Sequence, residues 1–182
     1  MGENRGYFSK MLGRGQAPER VGMTEVVWSW AGAFLGIGLV GGLNDYYVGR
    51  ADLVLIIGSF GASAVLIYGA ISSPLAQPRN LVGGHVISGL IGVAMYQNFG
   101  DSPWLAAALA VSLAIAAMHL TKTLHPPGGA TALIAIVGSD QVHALGYFFA
   151  VVPVALGALL MLVVALVVNN IPRDRYYPMY WW

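Results

Sequence analysis

The stretch Leu124-His125-Pro126-Pro127-Gly128-Gly129-Ala130-Thr131-Ala132-Leu133 places two prolines and two glycines where the chain should lie buried in lipid. A membrane span needs about 20 apolar residues, and the apolar run after Pro127 reaches only to about Val137. A helix that starts here is therefore too short to cross. Irregular backbone at that depth is tolerated only where it is buried in protein or lines a cavity. The stretch predicts a broken helix inside a bundle, and with it a candidate solute site.

The composition is that of an integral membrane protein. Hydrophobic residues make up 57% of the 182 residues and charged residues only 9%, whereas a soluble domain has about 25% charged residues. The chain has no cysteine, which excludes disulfides, iron–sulfur clusters and thiolate metal sites. The net charge of +1 gives no reason to expect nucleic acid as a partner. The lipid bilayer is the expected environment.

Six apolar segments follow one another along the chain, separated by turn-forming residues. We predict an all-α membrane protein, a bundle of about six transmembrane segments of which two are short or broken. The predicted segments are Thr24–Leu43, Leu53–Ile71, Leu81–Phe99, Trp104–Leu120, a short Gly128–Val137 and Gly146–Val168.

The basic residues predict the orientation, because cytoplasmic loops carry the excess of Lys and Arg. With the N-terminus inside, only Arg50 falls outside. We therefore predict a cytoplasmic basic N-terminal segment at 1–22, a transmembrane domain at 23–170 and a cytoplasmic aromatic and basic tail at 171–182. The expected location is a bacterial-type cytoplasmic (inner) membrane, with both termini cytoplasmic. The basic residues placed inside are Arg5, Lys10, Arg14, Arg20, Arg79, Lys122, Arg173 and Arg175.

A weak internal repeat relates the two halves of the chain. Phe60-Gly61-Ala62-Ser63-Ala64-Val65-Leu66 resembles Gly128-Gly129-Ala130-Thr131-Ala132-Leu133-Ile134. Each stretch lies in the middle segment of a three-segment half, so the halves would run in opposite directions, as in the 3+3 inverted repeats of many transporters. The match is short and made of small residues, so chance similarity stays open as the alternative.

The first copy of the repeat also predicts an interrupted helix. Gly58 and Gly61 follow an apolar run, and a helix that begins near Ser59 and ends near Ser72 again falls short of a span. Two short helices would then start inside the membrane from opposite faces, with their N-termini facing one another near the midplane.

Two helix N-termini at that depth favour the binding of a small anion. A helix N-terminus presents unpaired N–H groups and about half a positive charge. Pro127 suits the first helical position, while Gly128 and Gly129 let a solute approach the backbone. The candidate substrate-binding residues are Gly61, Ala62, Ser63, Asn80, His85, His119, His125, Pro126, Pro127, Gly128, Gly129, Ala130 and Thr131. The alternative is that these small residues serve close helix packing.

Histidines near the cytoplasmic ends of their segments add a weakly basic vestibule, since polar residues in spans are functional candidates by default. His85 and His119 would attract an anion and titrate near neutral pH. His119 and His125 lack the i, i+4 spacing of a helical metal pair and have no accompanying carboxylate, so no metal and no cofactor are expected. Without a buried Asp or Glu to orient His85, we expect no enzymatic activity.

Two stretches of the chain resemble the HPP family of integral membrane proteins. They are Ser73-Pro74-Leu75-Ala76-Gln77-Pro78-Arg79-Asn80-Leu81-Val82-Gly83-Gly84-His85 and the opening Leu124–Leu133 stretch, which contains the His-Pro-Pro that names the family. The resemblance runs from about Val26 to Val168. Transport has been proposed for the family, and some chloroplast and cyanobacterial members are implicated in nitrite transport. The resemblance therefore implies a small monovalent anion as substrate.

The predicted function is a membrane transporter or channel for a small inorganic anion, most directly nitrite. One alternative is a non-transporting membrane scaffold or anchor subunit, and a weaker one is an intramembrane enzyme that uses the histidines. A homo-oligomer is expected, because it would surround a pore with more protein than so small a bundle supplies. Gly32 and Gly36 give the first segment a small-residue face at GxxxG spacing.

Overall fold

The computed structural model describes Met11 and residues 15–48 and 57–182, and every regular element in these ranges is a helix. The described ranges contain seven α-helices, together with short 3-10 and π-helical turns at Asn44–Val48, Pro74–Ala76, Gly146–Ala150 and Val151–Ala155. The α-helices are α1 Met23–Leu43, α2 Ser59–Gly69, α3 Pro78–Phe99, α4 Pro103–Leu120, α5 Pro126–Val137, α6 Asp140–Ala144 and α7 Leu156–Val168.

Helix length separates the full spans from the short ones. Met23–Tyr46, Pro103–Leu120 and Gly146–Val168 are long and apolar enough to cross a membrane. The 22 residues of α3 extend about 33 Å, more than the hydrocarbon core of about 30 Å. The 12 residues of α5 reach only about 18 Å. The all-α membrane bundle with two short helices, α2 and α5, is thus confirmed; residues 53–56 of the predicted second segment lie outside the described ranges.

Prolines begin three of the helices. Pro78, Pro103 and Pro126 open α3, α4 and α5, where a missing N–H costs nothing because the first-turn donors have no intrahelical partner. The helix α5 starts at Pro126, one residue before the predicted Pro127, since a proline ring suits the second helical position as well. His125 just before it is extended, with φ −140° and ψ 103°, as the residue preceding a proline prefers.

The last predicted span is interrupted, a feature that the sequence-based prediction lacked. Within Gly146–Val168, Val152 leaves the helical region, with φ −130° and ψ 119°. Pro153 follows it, and a proline disfavours the α conformation of the residue before it. The regular helix α7 therefore covers only the second part of this segment.

Small residues let α5 pack closely on α3. A side chain at Gly84 would lie 2.6 Å from Cβ of His125, and one at Gly92 would lie 2.7 Å from the carbonyl oxygen of Ala132. A side chain at Gly128 would lie 2.7 Å from Oγ of Ser88. These contacts are closer than any real Cβ makes, so the glycines are required where the two backbones meet.

The GxxxG face of α1 is occupied within the chain. Gly32 and Gly36 are buried against the ring of Tyr68 on α2, and a Cβ at Gly32 would lie 2.7 Å from that ring. The Tyr68 hydroxyl continues across the bundle and donates to the carbonyl of Met161 on α7 at 3.0 Å. This face therefore holds α1 to its own bundle, and a homo-oligomer would need another surface.

The ends of the chain meet at one end of the bundle. Arg175 of the tail lies 3.3 Å from Glu25 at the start of α1 and donates to the carbonyl of Tyr68 at 2.8 Å. The Tyr177 hydroxyl donates to the carbonyl of Ala76 at 2.7 Å, and burial raises the pKa of this phenol, which keeps it a donor. This basic end is formed by the start of α1 with the residues just before it, the 70–77 loop with the first turn of α3, the 121–125 loop and the tail from residue 169. It carries every Lys and Arg in the described part of the chain: Arg20, Arg79, Lys122, Arg173 and Arg175.

Candidate functional site

The N-terminal turns of α2 and α5 lie side by side in opposite directions. Thr131, in the second turn of α5, donates to Oγ of Ser59, the first residue of α2, at 2.8 Å. Ser63, one turn further along α2, lies 2.9 Å from Nε2 of His125, which precedes α5. The earlier residue of α2, Ser59, meets the later residue, Thr131, and the later residue of α2, Ser63, meets the earlier His125. The two helices are therefore antiparallel where they meet. Both short helices therefore direct their positive ends into the same region of the bundle.

His85 reaches this region from α3. Its Nε2 lies 2.6 Å from Oγ of Ser63, and its Nδ1 lies 2.7 Å from Oγ1 of Thr131. Phe60 meets the imidazole edge-on, with ring centroids 5.4 Å apart. His85 and His125 are themselves 5.0 Å apart between centroids. A single hydroxyl, that of Ser63, thus lies between two imidazoles.

The far nitrogen of His125 fixes the direction of its hydrogen bonds. Nδ1 lies 2.8 Å from the carbonyl oxygen of Leu75, which can only accept, so Nδ1 carries a hydrogen and donates. In the neutral ring Nε2 then has only a lone pair and faces the Ser63 hydroxyl. The loop that carries Leu75 is held by Gln77, whose side-chain amide donates to the carbonyls of Ile71 and Ser73 at 2.9 and 2.8 Å.

These side chains form a closed group that we call the polar cluster: Ser59, Ser63, His85, His125 and Thr131. Ser59 is 1% exposed and the other four are fully buried. Every one has a hydrogen-bond partner within the protein. A buried donor or acceptor left unpaired costs about 1–3 kcal/mol, so mutual pairing is what allows five polar side chains to lie inside an apolar bundle.

The predicted site residues lie partly in the polar cluster and partly outside it. The structure brings Ser63, His85, His125 and Thr131 together and places Asn80 beside them, donating to the carbonyl of Leu124 at 2.9 Å. His119 is exposed on α4. The residues that face outward from the short helices are Gly61, Ala62, Pro126 and Ala130, of which Ala62, Pro126 and Ala130 line an apolar groove together with Val65, Leu66 and the buried Pro127.

The predicted backbone donors are partly engaged in hydrogen bonds within the protein. The N–H groups of Gly61 and Gly128 donate to the carbonyls of Gly58 and His125, at 3.2 and 2.8 Å. Gly128 is packed against α3, as described above. Gly129 is half-buried and has open space beside it, since a Cβ there would contact only Val111, at 3.8 Å.

Ser59 and Leu75 belong to the site and were not among the predicted residues. Ser59 precedes Ser63 by four residues, and residues four apart share one face of a helix, so the pair could have been found from the serine spacing. Leu75 contributes a backbone oxygen, which no side-chain pattern identifies.

Comparison with known proteins places the chain among membrane proteins. A family model described as HPP, transmembrane region, matches residues 18–178. A transmembrane protein of Dictyostelium discoideum is 47% identical over 180 residues, covering 97% of this chain and 57% of its own length. A second transmembrane protein of the same organism is 46% identical over 183 residues, covering 97% of this chain and 63% of its own length. The chain thus spans about six-tenths of these curated relatives. No solved structure matches it significantly.

Proposed function

The chain belongs to the HPP transmembrane family, and we propose that it moves a small inorganic anion, such as nitrite, across the membrane. The observation that carries the proposal is the polar cluster, which lies where two short helices meet inside the bundle. Polar residues inside a membrane protein are costly and mark solute or ion pathways by default. Interrupted helices in the two halves of a chain point to the same place in transporters.

The chemistry of the cluster suits an anion better than a cation. It holds hydroxyl and imidazole groups, which can donate, and no carboxylate. The N-termini of α2 and α5 both add partial positive charge. A small anion with two oxygens could accept hydrogen bonds from several of these groups at once.

Access requires the two short helices to separate. Moving α2 away from α5 breaks the contact of Ser63 with His125 and that of Thr131 with Ser59. The donors released by this movement would then be satisfied by the solute, so opening and binding support one another. We propose that the closed arrangement is the occluded state of this cycle.

The charge distribution gives the cycle a direction of approach. Arg79 and Lys122 lie at the basic end of the bundle, close to the loop that leads into His125. Positive charge at the mouth of a pathway raises the local concentration of anions. We propose that this end faces the cytoplasm, with both termini on that side, in a bacterial-type cytoplasmic (inner) membrane.

A membrane scaffold is the second candidate. Gly84, Gly92 and Gly128 pack the backbones of α3 and α5 against one another, which is what a structural role of the small residues requires. This interpretation explains the glycines but gives no reason for two buried histidines.

Flux measurements distinguish the two candidates. We expect purified protein in liposomes to transport nitrite in a saturable manner, in competition with nitrate, formate or chloride. We expect His85→Gln to reduce this flux at least tenfold, whereas Asn98→Gln, at an exposed position near the end of α3, should keep it. A scaffold would show no saturable flux of any of these anions.

A further inference from the structure

The hydroxyl of Ser63 connects two buried imidazoles through one oxygen atom, and we propose that it relays a proton between His85 and His125. The inference deepens the anion transport proposed above and rests on it for one feature only, that the proton accompanies the anion. The relay itself is a property of three side chains and can be tested without any anion.

The distances place Ser63 within proton-transfer range of both rings. Its Oγ lies 2.6 Å from Nε2 of His85 and 2.9 Å from Nε2 of His125, within the range of strong hydrogen bonds. A hydroxyl has one hydrogen and two lone pairs. Ser63 therefore donates to one imidazole while it accepts from the other.

With both rings neutral, the hydrogen bonds run in one direction. His125 keeps its hydrogen on Nδ1 because the Leu75 carbonyl must receive a donor. Ser63 then donates to Nε2 of His125 and accepts the Nε2 hydrogen of His85. Nδ1 of His85 is left as an acceptor for the hydroxyl of Thr131, at 2.7 Å. Because Thr131 has only one hydrogen, in this state it accepts from the Ser59 hydroxyl instead of donating to it.

Adding one proton to the polar cluster reverses the direction of these hydrogen bonds. When His125 carries hydrogens on both nitrogens, Ser63 accepts from it and donates to Nε2 of His85. The hydrogen of His85 then lies on Nδ1 and is donated to Thr131, which donates in turn to Oγ of Ser59, at 2.8 Å. This second arrangement has the Thr131–Ser59 hydrogen bond in the direction that the structure gives, whereas the neutral arrangement needs that one hydrogen bond to be reversed. The two protonation states therefore differ in hydrogen positions and keep the same pairs of heavy atoms in contact.

The transfer of a proton from His85 to His125 through Ser63 conserves atoms and charge. Starting from a protonated His85, the N–H bond at Nε2 breaks as an O–H bond forms on Ser63, while the original O–H bond of Ser63 breaks and an N–H bond forms at Nε2 of His125. One proton moves from one ring to the other, and nothing is oxidised or reduced. The Ser63 hydroxyl must turn before a second proton can follow.

The surroundings favour a proton that travels with an anion. Among the buried residues that the structure describes there is no carboxylate, so a lone positive charge on the two rings is poorly compensated. A bound anion offsets that charge, and the proton offsets the charge of the anion, which lowers the cost of burying either. The other titratable or charged groups on the elements packed around the pair are Tyr68, Arg79, Tyr96, His119 and Lys122.

None of these five groups takes part in the relay. Tyr96 stacks on His143, with ring centroids 3.7 Å apart. Tyr68 is engaged with Met161, and Arg79 donates to the carbonyl of Thr121 at 2.5 Å. His119 and Lys122 are exposed. The exit is at His125, which adjoins the basic end of the bundle, where release of Leu75 would open Nδ1 to water.

Histidine-labelled protein in lipid bilayers provides the first test, by 15N nuclear magnetic resonance. At high pH we expect opposite tautomers, with hydrogen on Nδ1 of His125 and on Nε2 of His85. As the pH falls, the ring signals of both histidines should change over one shared interval. Ser63→Ala should separate the two titrations, whereas Ser63→Thr, which keeps the hydroxyl, should retain the shared one. Ser112→Ala, at an exposed serine on α4, is the matched control.

Proteoliposomes with an internal pH dye provide the second test. A nitrite gradient should drive proton uptake in the wild type, and Ser63→Ala should lower the ratio of protons to nitrite at least tenfold. Ser63→Thr should keep that ratio within about twofold.

The outcomes separate the two proposals. Shared titration without nitrite flux would support the relay and overturn the proposed transport. Separate titrations of the two histidines in the wild type, or an unchanged proton-to-nitrite ratio in Ser63→Ala, would overturn the relay and leave transport standing. Nitrite flux with no proton uptake would overturn the coupling of the proton to the anion. If Ser63→Ala does not fold, separate titrations in the wild type alone would overturn the relay.

Discussion

The hydroxyl of Thr131 in the second turn of α5 donates to the hydroxyl of Ser59, the first residue of α2, at 2.8 Å, although the two residues are 72 apart in sequence. Through His85 and Ser63 the same contact connects to His125 and the carbonyl of Leu75. Side chains from two short helices, a long helix and a loop thus share one set of hydrogen bonds. Stability and function should therefore respond together when the set is broken.

Removing the hydroxyl of Thr131 should destabilise the protein. Thr131→Val preserves the shape of the side chain but leaves Nδ1 of His85 and Oγ of Ser59 without this partner. The expected loss is about 1–3 kcal/mol in the free energy of unfolding, measured by denaturant titration in detergent. Thr131→Ser should lose less. A Thr131→Val protein as stable as the wild type would argue against a closed hydrogen-bonded cluster.

Neighbouring glycines should respond differently to the same change. A side chain at Gly128 would lie 2.7 Å from Oγ of Ser88, whereas one at Gly129 would contact only Val111, at 3.8 Å. Overpacking of a close contact costs about 1–3 kcal/mol. Gly128→Ala should therefore lower the unfolding temperature and the yield, and Gly129→Ala should keep both. Equal effects at the two positions would contradict the packing of α5 on α3.

The space beside Gly129 also allows a functional test. If the solute passes there, Gly129→Val should fold and yet reduce nitrite flux strongly, because the side chain fills the space at the start of α5. The measurement is flux per folded molecule, with Gly129→Ala for comparison. Undiminished flux in a folded Gly129→Val protein would exclude that route.

The tail should contribute to stability through one phenol. Tyr177 is 3% exposed and donates to the carbonyl of Ala76, in the loop that also carries Leu75. Tyr177→Phe should cost about 0.5–1.5 kcal/mol, the net contribution of a hydrogen bond. Tyr176→Phe, at an exposed neighbour, is the matched control. If both variants unfold like the wild type, the tail is not docked as described.

Orientation can be measured with fusion reporters. The described Lys and Arg residues all lie at the basic end of the bundle, and such residues favour the cytoplasm. A reporter fused after Trp182 should be active on the cytoplasmic side, and one placed within Asn44–Val48 on the other side. An external C-terminus would overturn the topology.

The break at His125-Pro126-Pro127 could be predicted from sequence because proline and glycine constrain the backbone locally. The same logic applies to Val152 before Pro153, but there the long apolar run outweighed the one proline and the interruption was missed. The start of α2 at Ser59 was predicted by the glycines around it. The inverted repeat stays a prediction, with the antiparallel contact of the two short helices compatible with it.

The arrangement of the site was harder to predict. Short membrane helices are apolar on all sides, so the sequence does not tell which face is inward. Gly61, Ala62 and Ala130 were candidates beside Ser63 and Thr131, yet they point away from the polar cluster. The link from His125 to Leu75 spans fifty residues and ends on a backbone oxygen, so it depends on tertiary packing alone.

Nitrite uptake into liposomes that contain only the purified chain tests the central claim most directly. We predict uptake that saturates with nitrite concentration, exceeds that of protein-free liposomes at least tenfold and falls to the protein-free level in His85→Gln. Uptake equal to that of protein-free liposomes, from wild-type protein shown to be folded, would contradict it.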